Sequence, residues 1–212
     1  MSEHRRPVQF DSAWFEQFEG DVDPALRTQL AHDTATALLT RVRSGAGSEE
    51  SKRVLQRIQL LAREDGIDSV AELWSQAPEH SLPGALWRIH LVSTMIAQRT
   101  DETATLFTAG VSRLETVDAA VAGVETPTGP EQMVELSDKI LHGVFAGDFA
   151  LALERSASFC RVVASGALET ADELDALDDD RATELTRKAR TLIEIAQDFE
   201  RCAQLWRIDD LH

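Results

Sequence analysis

Tyrosine is absent from this sequence, and lysine occurs only as Lys52, Lys139 and Lys188, the other bases all being arginine. That bias reads as genomic base composition rather than mechanism. Cysteine is nearly absent too. Cys160 and Cys202 do not form a Cys-x-x-Cys pair, which argues against a disulfide framework. Cys160 sits mid-stripe in an apolar helix with no histidine at helical spacing, so it reads as core rather than nucleophile. No apolar run approaches the roughly 18 residues needed to span a bilayer, and no charged-then-apolar leader opens the chain, so the expected compartment is the cytoplasm. Positive charge is scarce: 21 Lys and Arg stand against 37 Asp and Glu, a formal net charge of -16. Such a chain repels phosphate backbones and anionic membrane surfaces, and His4-Arg5-Arg6 is too short a basic cluster to reverse this.

Signatures of chemistry are missing as well. Gly45-Ala46-Gly47-Ser48-Glu49-Glu50 begins like a phosphate loop but follows a helical pattern, has Glu50 where the third glycine belongs, and offers no lysine. There is no Gly-x-Ser-x-Gly elbow. His4, His32, His80, His90, His142 and His212 are never four apart, and no Glu-x-x-His pair occurs, so neither a zinc helix nor a di-iron bundle is indicated. Asp138 and His142 share a helix face and are read as a surface ion pair. The acidic run from Glu169 to Asp180 lacks the glycine and terminal glutamate of a calcium loop, and is read as a solvated loop with a dipole-stabilised helix start. No metal, no cofactor and no catalytic constellation is expected.

What is present is helix. With 43% hydrophobic and 27% charged residues the chain lies in the globular range. Helical stripes recur while strand signals do not, predicting an all-α multi-helix bundle of about 8–10 helices in a single domain over residues 1–212. The only weak boundary is the loop 123–130, with Pro127-Thr128-Gly129-Pro130. Asp11 caps a short segment, Ser12 to Phe18, and Asp23-Pro24 opens a helix that stops at Gly45. Ser48 starts another, ended by Asp65-Gly66. Ser69 with Glu72 and Thr128 with Glu131 read as capping boxes. Gly147 and Gly166 read as terminators of the helices that precede them, and the last helix runs to about Arg207.

The organising stretch is Leu82 to Gln98, apolar on every side and therefore expected to be the buried central helix. A helix beginning at Thr100-Asp101 would pair with it antiparallel. Its polar residues include Arg88 and His90 beside Trp87: a planar donor fork, a group that titrates near neutral pH and a stacking face. Trp87, Arg88 and His90 are the candidate ligand-binding residues, for a small anionic or aromatic molecule. The simpler reading has Arg88 paired to an internal carboxylate, Trp87 packed and His90 satisfied in the core.

The piece Ala71-Glu72-Leu73-Trp74-Ser75-Gln76-Ala77 followed by Ser81-Leu82-Pro83-Gly84-Ala85-Leu86-Trp87-Arg88-Ile89-His90 resembles the helix-turn-helix of tetracycline-repressor-type regulators. That resemblance implies a DNA-reading helix from Ser81. It departs from the pattern in having Pro78-Glu79-His80 in place of a tight glycine turn, and in a reading helix whose one base is Arg88. Three functions are therefore expected in order. The first is a self-associating interaction or scaffold protein that is no enzyme. A small-molecule-binding enzyme or sensor with a pocket at Trp87, Arg88 and His90 comes next, and a transcriptional regulator third.

Overall fold

The computed structural model describes residues 24–44, 67–118 and 128–212. Those residues hold seven helices and no strand: α1 Pro24–Ser44, α2 Ile67–Glu72, α3 Leu82–Gln98, α4 Thr100–Asp118, α5 Pro130–Leu141, α6 Phe149–Leu174 and α7 Asp179–Arg207. The all-α bundle read from the sequence is the observed class. The segments expected at 12–18 and 48–65, the glycine-bearing stretch 45–50 and most of the 123–130 loop lie outside the described residues. Buried side chains from all seven helices join in one hydrophobic cluster.

The longest two helices form a hairpin. On α7, Leu185, Ala189, Leu192, Ala196, Phe199 and Ala203 recur at helical spacing and are all buried against α6. Leu177 and Asp178 both donate backbone N–H bonds of 2.8 Å to the Leu174 carbonyl, which closes α6, and the Asp178 carboxylate accepts from Arg181 N at 3.0 Å to cap α7. The acidic run is thus divided. Its first half finishes α6 instead of forming a loop, while Asp179 and Asp180 lie in the first turn of α7, where the dipole favours them.

Gly166 does not terminate a helix, because α6 continues eight residues past it to Leu174. It serves instead as a contact point. A Cβ at Gly166 would be driven into the carbonyl oxygen of Leu106 on α4, and one at Gly110 into the carbonyl oxygen of Val162 on α6. Missing side chains let the two backbones touch. Phe107 and Phe159 stack beside this crossing at 5.8 Å. The true glycine stop is Gly143, with φ 64: its N–H bonds Ile140 O and that of Val144 bonds Lys139 O, ending α5 before the expected Gly147.

Other boundaries also differ. Ser69 lies inside α2 and Gly129, not Thr128, is the N-cap of α5, with Pro130 in its first turn and no side-chain cap bond. Only Arg99 separates α3 from α4, whereas an antiparallel helix pair takes a loop of about 2–5 residues. The helical track simply bends there, with Arg99 N bonded to Met95 O and Thr103 N to Arg99 O, and α4 packs mainly along α6.

α3 packs against α1, α2, α4, α5 and α7. From Leu82 to Leu86 every residue is buried, as are Ile89, His90, Val92 and Ile96. Further along, Leu91 is 38% exposed and Ala97 and Gln98 face solvent, so cover on every side holds for the first half of the helix only. Ser81 fixes its start: the hydroxyl donates to Pro78 O at 2.7 Å and accepts from Gly84 N at 3.2 Å. Leu82 N–H donates to the main-chain oxygen of His212 at 2.8 Å, tying the chain's last residues to this end.

The glycine crossing gives a prediction whose sign runs against helix propensity. Gly to Ala inside a helix ordinarily gains about 1 kcal/mol. Here the methyl meets backbone that cannot rotate away, so Gly166→Ala should lower the stability measured by urea unfolding by about 2–3 kcal/mol. A neutral or stabilised variant would mean the helices are not in backbone contact.

Candidate functional site

The three residues singled out on α3 do not converge. At about 100° per residue, Arg88 points some 160° away from His90. Arg88 reaches α7, where Nε donates to Asp198 Oδ2 at 2.7 Å, and its NH1 donates to Gly84 O at 3.1 Å. Its side chain is 12% exposed and that of Asp198 18%, so the charges meet out of open water. The other Asp198 oxygen lies 3.2 Å from His80 Nε2, and Glu79 stands 3.9 Å from Arg88 NH2. Cys202, one turn after Asp198, donates its thiol to Glu79 O at 3.6 Å. This seam joins the turn before α3 to the second half of α7.

His90 faces the other way. Its ring is 5.6 Å from that of the half-buried Trp87, and Nε2 lies 3.4 Å from Asp68 Oδ1 on α2 and 3.5 Å from the Thr94 hydroxyl. Burial holds the imidazole below its ordinary pKa of 6.5; Asp68 pulls the opposite way, weakly because that carboxylate is largely in solvent. Arg88 thus meets a carboxylate of another helix, and His90 lies among polar neighbours.

His142 Nδ1 lies 2.8 Å from the backbone oxygen of Asp138. Burial pushes the thiols of Cys160 and Cys202 up to about 12, far from a reactive thiolate. Among the described residues no group of three or more His, Cys, Asp or Glu side chains is placed to hold a metal ion. None of their helices is long and apolar enough to cross a membrane. A recess of about 380 Å³ lies between α6 and α7 near their turn, lined by Asp172, Asp175, Thr183, Thr186, Arg187 and Arg190, away from Trp87, Arg88 and His90. In the stretch resembling a helix-turn-helix, residues 73–77 form turns rather than helix, and Leu82, Leu86 and Ile89 of the supposed reading helix are buried.

Sequence reasoning missed the partners: Asp198, His80 and Asp68. It also missed Glu102 on α4, which gathers Arg181 at 2.9 Å, Lys188 at 3.1 Å and Arg99 at 3.2 Å. Burial alone would raise this carboxyl's pKa, yet the three cations outweigh it and hold the group below the usual carboxylate range. Apart from Arg99–Glu102, three residues apart, no periodic signal marks which acid meets which base, from Asp68–His90 at 22 residues to His80–Asp198 at 118. Compared with known proteins, the chain matches no family model, no curated protein and no solved structure.

Two expectations follow. Arg88→Ala and Asp198→Ala should each cost about 2 kcal/mol in urea unfolding, because either leaves a partly buried charge alone, and the double variant should cost clearly less than their sum. Additive losses would mean the pair is not coupled. For His90 the unfolded state binds the proton first, so stability should decline as pH falls through about 6.5, until the folded-state ring also titrates. His90→Gln should flatten that decline; an unchanged slope would locate its origin elsewhere.

Proposed function

We propose that the chain is a helical protein-interaction module that associates with a second copy of itself. The observation that carries this reading is a group of exposed large apolar side chains at one end of the bundle. Phe145 packs on Phe149 at 6.5 Å and Phe149 on Trp206 at 4.9 Å, which brings the segment before α6 and the end of α7 together. Around them Val144 is 51% exposed, Leu151 47% and Ile208 70%. Burying side chains of this kind yields about 1.5–3 kcal/mol apiece. Arg88 and His90 of α3, by contrast, are engaged within the chain, which leaves a small anion without Arg88 as a ready receptor.

Charge sets the conditions for such contact. Two copies each carrying -16 repel one another, and salt shortens that repulsion to a Debye length of about 8 Å at physiological strength. Self-association through an apolar end should therefore strengthen with added salt. Light scattering over a concentration series should show mass rising with concentration and with sodium chloride, and Val144→Asp with Ile208→Asp should abolish the rise while leaving the circular dichroism intact. A strict monomer at every concentration and salt would overturn the reading.

A further inference from the structure

We propose that α4, α6 and α7 enclose an interior water site built by Thr103, Glu169 and Lys188. Thr103 Oγ1, Glu169 Oε2 and Lys188 Nζ are shut off from bulk solvent; the first two are hydrogen-bonded by no protein group among the described residues, while Lys188 Nζ meets Glu102 Oε1 at 3.1 Å and keeps further donors. Thr103 as a whole has no exposed surface. Buried polar atoms of native proteins have partners almost without exception, in protein or in ordered water.

The helix register brings the three together. At the glycine crossing Gly110 meets Val162 and Leu106 meets Gly166, so α4 and α6 run antiparallel there. Thr103 lies one turn before Leu106 on the same face of α4, and Glu169 one turn after Gly166 on the matching face of α6. The same pairing therefore sets Thr103 opposite Glu169. Lys188 comes to this level from α7: its Nζ lies 3.1 Å from Oε1 of Glu102, the neighbour of Thr103, a contact that takes one of its three donors.

The three groups also fit one guest. Lys188 only donates, an ionised Glu169 only accepts, and Thr103 does either. Water accepts from Lys188, donates to Glu169 and takes its third bond with the Thr103 hydroxyl, the usual number for an internal water. A direct bond does not do this, since no ion pair joins Glu169 to Lys188 among the described residues.

The test is a high-resolution crystal structure of the full chain, with water-to-protein magnetisation transfer in solution as the second measurement. Expected is one ordered solvent peak within hydrogen-bond distance of all three atoms, with a long-lived water signal to protons of Thr103. That signal should disappear in Thr103→Val and persist in Thr103→Ser, a control that separates loss of the water from loss of the fold. The proposal is overturned by Lys188 bonded directly to Glu169, by a dry site, by a metal ion at the peak, or by a water signal unaffected in Thr103→Val.

Discussion

Contact between two backbones at Gly110 and Gly166 is the constraint on which the packing of this bundle depends. Close approach lets main chain touch main chain, and it sets how far every flanking residue stands from its neighbour. With α4 against one side, α6 offers another to α7, so the longest helices share a core of alanine, leucine, valine and phenylalanine. Small residues on α6, among them Ala157, Ala164 and Ala167, are buried along the rest of the helix. α3 then links this layer to α1, α2 and α5.

Scarce cations are concentrated where helices meet. Arg88 joins α3 to α7; Arg181 and Lys188 join α7 to α4; Arg99, in the one-residue bend, reaches Glu102 and Glu184. Across the hairpin, Arg161 and Arg207 form forked bonds to Glu200 and Glu154, but both pairs are substantially exposed, where solvent and salt screen them. The partly buried pairs matter more, because removing one partner strands the other away from water. Acid in excess of these bridges faces solvent and gives the surface its negative field.

Periodicity read the helices well where burial is one-sided. α1 begins at Pro24 and α7 ends at Arg207, both as expected, while α6 and α7 start on the aspartate caps Asp148 and Asp178. Glycine misled, for a physical reason. The same residue ends a helix by adopting positive φ, as Gly143 does, or stays helical so that a neighbour can touch it, as Gly166 does. One chain in isolation does not distinguish them, because the second use depends on a partner 56 positions away, Gly110. For the same reason the candidate site was only half legible. The sequence located the polar residues within an apolar helix, but not their partners: Asp198 comes from α7, 110 residues on from Arg88, and Asp68 from the preceding helix.

Helical geometry explains why that trio separates instead of forming a pocket. Residues two apart on a helix project to nearly opposite sides, so Arg88 and His90 address different neighbours unless one side chain wraps around the rod. Asp198 draws the arginine toward α7, and the turn carrying Glu79 and His80 closes over that pair. The histidine is left with Trp87, Asp68 and Thr94 on the side of α2. Each half thus serves to position α3 against a different partner, and among the exposed large apolar side chains Val144, Leu151 and Ile208 flank, in sequence, the Phe145–Phe149–Trp206 row. On the proposed reading these side chains meet a second apolar surface, and the negative field limits which surfaces approach.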